Sequence, residues 1–301
     1  MLRSLALTLV LTLGLSACDA TETEDTASGA FDLLDGEATV VLRTSAAALN
    51  SEAIQTDGIE LDSLPALFPF ALPLDATVYV AARLTGATDL GSAIGGIAGG
   101  EAVLVFPSGT SDVWQALSAT ATPTTGEGEF DLFVDDQLEA VFALDDTRVV
   151  VASRESIVRA MIRRSGSARL SGDARTLIGK TDAFPVGVLV QDSGLLLTAL
   201  LGDDSPIPPS ALPFRRAAIG STLDASADAS VDATIWLEPI AGSDAAGLAG
   251  LVTTIGALAA QSPDLDEQTR ALLANLSPVV DGRFVRITVA LPLDSLLTDI
   301  D

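Results

Sequence analysis

The sequence predicts an α+β fold, a mostly antiparallel sheet with helices packed on one face, carried on a short N-terminal leader. Three observations predict it. Runs rich in Val, Ile and Phe recur along the chain, bounded by Gly, Pro, Asp and Ser, which is the pattern of strands and turns. Between several of them lie longer segments whose apolar residues repeat at helical spacing. The run RFVRITVAL alternates: Arg283, Val285, Ile287, Val289 and Leu291 share one side and Phe284, Arg286 and Thr288 the other. A sheet with one buried face is the consequence.

The leader comes first. MLRSLALTLVLTLGLSAC has Arg3 as its positive end, an apolar run from Leu5 to Leu15 and small residues before Cys18, as in a secretory signal. Leu15-Ser16-Ala17-Cys18 resembles the lipobox of bacterial lipoproteins. That resemblance implies removal of residues 1–17 by signal peptidase II and acylation of Cys18, palmitate included, on its thiol and its new amino terminus. An ordinary cleaved signal is the alternative. Cys18 is the only cysteine in the chain, so it closes no intrachain disulfide. Several acyl chains on one residue hold a membrane stably where a single chain does not. Asp19 resembles the inner-membrane retention signal of enterobacterial lipoproteins, and both inner and outer membrane stay open. The expected location is the bacterial cell envelope, facing the periplasm or exposed at the surface.

Residues 18–36, which open with CDATETEDTASG, are acidic and rich in Thr and Ser and read as a flexible tether. The roughly 265 residues beyond are enough for two α+β halves, 37–165 and 166–301, or for one continuous domain. Strands are expected at 38–43, 76–83, 101–106, 138–144, 148–153, 184–191 and 283–291. Helices are expected after Ser153, with Ile157, Met161 and Ile162 as the apolar stripe, and after Ser193 in GLLLTALLG. A third runs from Ser243 to Ala260 on Leu248, Leu251, Val252, Ile255 and Leu258. Ser262-Pro263 opens a fourth, with Asp264, Asp266 and Glu267 in its first turn and Leu272, Leu273 and Leu276 on its apolar side. LPLDSLLTDI at the end reads as a short helix closing on the sheet.

Ile219 to Leu237 alternates with period two, its odd positions small or apolar and its even ones including Asp224, Asp228 and Asp232. Nineteen residues exceed an ordinary strand of about five or six, so this is either one bent strand or a hairpin turning near Ala227 to Ser230. Its acidic side is expected to face solvent, with calcium at the three aspartates as the weaker alternative. DATVYVAARLTGATDLGSAIGGIAGG and VDATIWLEPIAGSDAAGLAGLVTTIGALAA both open on Asp-Ala-Thr and hint at duplicated strand–helix halves. Together with the strand-to-helix step VVASRESIVRAM, the arrangement from Asp75 to Asp301 is similar to bacterial envelope proteins without an assigned activity.

Composition removes several classes of function. The net charge of −25, with Lys180 the single lysine, argues against nucleic acid and against lying flat on anionic lipid. No histidine is present, which excludes Ser-His-Asp and Cys-His catalysis and His-based zinc sites. ARTLIGKT satisfies the loosest phosphate-loop pattern through Ala174, Gly179, Lys180 and Thr181, but no strand precedes it and its interior lacks glycine. A helix over 172–178 ended by Gly179 in left-handed conformation is the better reading. Aromatics are 4% of the chain, and Trp114 and Trp236 read as packing residues rather than ligand platforms. The expectation is a non-enzymatic binding or scaffolding module, with neither cofactor nor metal, for a protein partner or an apolar ligand. The alternative is a carboxylate-dependent hydrolase of the envelope. Cys18, as the lipidation site, is the one site residue assigned.

Overall fold

A computed structural model describes residues 29–49, 69–83, 101–193, 213–224, 230–261 and 267–292. Twelve strands form one antiparallel sheet in the order β11-β12-β10-β9-β8-β1-β2-β3-β7-β6-β5-β4. They are β1 Val40–Ser45, β2 Thr77–Ala82, β3 Glu101–Val105, β4 Thr122–Glu127, β5 Phe130–Asp135 and β6 Ala140–Leu144. The remainder are β7 Arg148–Ala152, β8 Val186–Val190, β9 Phe214–Asp224, β10 Ser230–Pro239, β11 Val279–Asp281 and β12 Phe284–Pro292. All seven runs expected from the sequence are strands. Ile219 to Leu237 falls on two strands: β9 and β10 pair antiparallel with Asp224 opposite Ser230, and residues 225–229 between them lie outside the described residues. β4, β5 and β11 had not been expected, and Gly128 and Gly282, both at φ +62°, make two-residue turns before β5 and β12.

The helices are α1 Ala46–Leu49, α2 Ser111–Thr120, α3 Glu155–Ile162, α4 Gly172–Gly179, α5 Ala245–Ala259 and α6 Glu267–Ala274. They cover both faces of the sheet, which corrects the one-face expectation. Under α3 and α4 lies a core of Val41, Tyr79, Val103, Val150, Leu189 and Trp236, closed by Leu34, Met161 and Leu177. On the opposite face α2 packs over Val78, Leu104 and Phe142, and α5 over Val188, Val285 and Ile287. Leu42 and Val80 are cross-strand partners, so these last two cores share a face. The central strand β8, VGVLV, is buried at every position. An unbroken apolar run is what a strand covered on both sides requires.

Other expectations are corrected in detail. Ala30, Phe31, Leu33, Leu34 and Asp35 are buried, so the end of the segment read as tether belongs to the core. Helix α3 is capped at Arg154 without a side-chain hydrogen bond, not by Ser153, and Val158 joins Ile157, Met161 and Ile162 on its packed side. The helix expected from Ser243 to Ala260 spans Ala245–Ala259, capped by Asp244, whose carboxylate accepts from Gly247 N. Gly179 is helical and the residue after it, Lys180, is right-handed, so no left-handed cap ends α4. On β10 the acidic Asp232 is exposed, as expected, but Thr234 and Trp236 on the same side are buried, so the solvated face does not run the length of the strand. The two Asp-Ala-Thr segments lie on β2 and β10, the second and third strands of their respective meanders β1-β2-β3 and β8-β9-β10, and so do not mark equivalent places. The helices read after Ser193 and at the C-terminus, and the Ser262-Pro263 start, lie outside the described residues.

Candidate functional site

The central strands end together and make a groove. In the order β10-β9-β8-β1, β10 finishes at Pro239, β9 begins at Phe214, β8 finishes at Val190 and β1 begins at Val40, so four adjacent strands terminate at one end of the sheet. An open groove of about 600 Å³ runs along these ends, lined by Gly36 to Thr39, Gln191 to Ser193, Phe214 to Arg216 and Ile240. Gln191 fixes its floor: its backbone N–H donates to Thr39 O at 2.8 Å and its amide Nε2 to Ala38 O at 2.7 Å.

Two ion networks form its ends. At one, Arg83 reaches Glu37 at 2.7 Å and grips Asp35 through both Nε and Nη2, while Glu37 N–H also donates to Asp35. Burial raises the Asp35 carboxyl, but the Arg83 hydrogen bonds and the Glu37 N–H outweigh it and hold the group below its usual value. At the other end the pairing of β9 with β10 shifts at Glu238, leaving Arg215 between the residues opposite Glu238 and Pro239. Such a bulge re-aims a side chain. Arg215 and Arg216 consequently both reach buried Glu238, at 2.6 and 3.1 Å, and Arg215 also meets Asp173 at 2.9 Å. A hydrogen bond from Arg283 is the first cause of the lowered Asp173 carboxyl.

The groove thus offers fixed and paired charges of both signs beside two apolar side chains, Phe214 and Ile240. It is not an apolar cavity. Every carboxyl with a resolved shift (Asp35, Glu127, Asp173, Asp281) is lowered, and each is bound to Arg or Lys.

Residues singled out from the sequence are dispersed. Cys18 lies outside the described residues. In ARTLIGKT the interior is helix α4, so its N–H groups serve the helix rather than a phosphate; Lys180 Nζ meets Asp281 at 3.1 Å and the buried Thr181 hydroxyl donates to Ile178 O. Asp228 lies outside the described residues, and Asp224 and Asp232 sit on different strands. Among the described residues no group of three or more acidic or cysteine side chains is placed to hold a metal ion. Trp236 is buried, as expected, against Phe184, whereas Trp114 packs edge-on against Phe133 at the surface, 46% exposed, and donates to Asp131. Arg83, Gln191, Arg215 and Glu238 had not been singled out. Apart from the adjacent arginines 215 and 216 nothing local marks them, because their partners are distant in sequence.

No family model matches this chain, and no curated protein matches it. Two solved structures resemble it, crystal forms III and IV of TP0453. Each is 13% identical and covers 90% of this chain, with 98% and 95% of the other chain covered and TM-scores of 0.43 and 0.44. At these values the likeness assigns neither residues nor activity.

Proposed function

We propose that this chain is a lipid-anchored protein of the bacterial envelope that acts as a non-catalytic binding or scaffolding module for a protein partner. Lipidation rests on Leu15-Ser16-Ala17-Cys18 and its place after a short apolar leader. The observation that carries the binding reading is the groove at the ends of β1, β8, β9 and β10. It combines backbone edges, Phe214 and Ile240, and charges locked in pairs, which suits a polar and apolar protein surface better than an apolar ligand.

Anchoring is tested by labelling cells with a palmitate analogue and fractionating them. The wild-type chain takes label and sediments with membranes, and Cys18→Ala does neither; a wild-type chain that is unlabelled and soluble overturns it. Binding is tested with a photo-crosslinking residue at Ile240. A discrete crosslinked protein that disappears when Phe214→Asp is added supports the groove, and an unchanged adduct refutes it.

A further inference from the structure

We infer that the free edge of β12 is a self-association site that takes a second copy of this chain. The argument begins at the turn. A two-residue connection, Gly282-Arg283, joins β11 to β12, with Asp281 opposite Phe284. In such a hairpin the closing pair exchanges both backbone hydrogen bonds, and the direction of N–H and C=O then alternates residue by residue. Phe284, Arg286, Thr288 and Ala290 therefore turn their backbone groups toward the β11 side, and Val285, Ile287, Val289 and Leu291 toward β10. No register shift interrupts the pairing with β10 from Val285 to Pro292.

β11 stops short. Its first residue, Val279, lies opposite Arg286. Beyond that point Thr288 and Ala290, both exposed, present N–H and C=O groups that no strand pairs among the described residues. Sheets usually blunt such edges with proline, a bulge or charge. The opposite edge, β4, has all three: Pro123, a register shift between Thr124 and Glu127, and the ion pairs of Glu127 with Arg159 and Arg163. The β12 edge has a single proline, Pro292, at its far end; between Arg286 and Pro292 the edge-facing Thr288 and Ala290 carry neither proline, bulge nor charge.

The charge distribution favours a second copy as occupant. With a net charge of −25, two copies repel through most of their surface. Here the charge is low: Ile287 to Leu291 is uncharged, and so is α5, which packs against β10, β11 and β12 and exposes Leu251, Ile255 and Leu258, while the exposed Asp232 opposite Ala290 is the one carboxylate of β10 in register with this span. The strand is also self-complementary about a two-fold axis at Val289. Thr288 then faces Ala290 of the second copy, the reverse pair repeats it, and four N–H···O bonds close over Ile287 to Leu291. That span ends before Arg286, where β11 is paired.

The test uses the full chain with Cys18→Ser, which leaves no native thiol. Sedimentation velocity is expected to show a concentration-dependent monomer–dimer equilibrium. Ala290→Lys, at an exposed position, is expected to weaken it at least tenfold without changing the circular dichroism or the melting temperature. Val289→Cys in the same background is expected to form a disulfide-linked dimer on mild oxidation, because residues opposed in a non-hydrogen-bonded pair lie about 4.5 Å apart at Cα, within disulfide reach. Arg286→Cys should not link. A chain that stays monomeric overturns the proposal, as does a dimer indifferent to Ala290→Lys and unlinked at residue 289. A monomer whose Thr288 and Ala290 amides exchange slowly overturns it as well, since the chain's own residues then cover the edge.

Discussion

Gly187 of β8 lies directly opposite Gly220 of β9. The pair makes a bare patch on the sheet where the 181–184 segment comes to rest. A Cβ at residue 220 would stand 2.5 Å from the Phe184 ring, and one at residue 187 would stand 2.7 Å from Thr181 Cβ and closer still to its hydroxyl. Phe184 in turn meets Trp236 edge-on, with ring centroids 5.8 Å apart. The absence of two side chains thus lets the end of α4 bury an aromatic pair against the middle of the sheet.

Filling that patch should destabilise the protein. Overpacking a close-fitted core costs about 1–3 kcal/mol, so Gly187→Ala and Gly220→Ala are each expected to fall in that range. Because the two sites abut one segment, the double variant should cost less than the sum of the singles. Urea unfolding of the three variants measures both; alanines that leave the midpoint unchanged would show that the segment moves away freely.

Arg43 is buried to 2% exposure on β1 and donates to Phe184 O at 2.9 Å and Asp182 O at 3.4 Å, with the Asp182 carboxylate 3.3 Å away. Arg43→Met keeps much of the volume and removes the donors. Phe184 is half-buried and Asp182 exposed, so water can reach part of what the guanidinium leaves, and a loss of about 1–3 kcal/mol is expected for this change. Lysine lacks the planar fork, and Arg43→Lys should recover little of it. Equal urea midpoints for wild type and Arg43→Met would refute the structural role.

Hydrogen bonds from Arg163 and then Arg159 pull Glu127 from 4.5 down to about 2. A carboxyl lowered by folding contributes stability that is complete above its unfolded value and lost as pH falls through its folded value. Its contribution is therefore expected to fade from about pH 4.5 toward 2, in the same acid range as those of Asp35, Asp173 and Asp281, which are lowered as well. Melting temperatures recorded from pH 7 to 2 should drop less steeply below pH 4.5 for Glu127→Gln than for wild type. Parallel curves would mean that the pairs persist in the unfolded chain or contribute nothing.

Asp281 accepts from both Lys180 Nζ and Trp236 Nε1, each at 3.1 Å, tying α4, β10 and the β11–β12 hairpin together. The Lys180 hydrogen bond is the first cause of the lowered Asp281 carboxyl. Both partners of the ion pair are about one-third exposed, so Lys180→Met is expected to cost no more than about 1 kcal/mol. Asp281→Ala also strips the buried indole of its acceptor and should cost about 1–3 kcal/mol, with a shift in Trp236 emission. The Asp281 carboxyl, followed by NMR, should titrate higher in Lys180→Met; an unmoved titration would dissociate the two groups.

How legible this protein was in its sequence depends on the range of the forces involved. Local chemistry was readable: seven strands announced themselves by Val, Ile and Phe content, and α3 and α5 by apolar spacing. Each of these depends on residues a few positions apart. β11 was too short to show a pattern, and β4, TPTTGE, has almost nothing apolar to show. Composition and local pattern were enough for an α+β chain of antiparallel strands, strongly acidic, with one cysteine and no histidine, and so bounded the chemistry open to it. Three features appear only once the chain is folded: both faces of the sheet are covered, Phe31, Leu33 and Leu34 join the core, and four strand ends meet at one groove. The reason is that burial and ion pairing are properties of partners: Arg43 and Asp182, or Arg83 and Asp35, are separated by dozens of residues, and nothing near either one in the chain names the other.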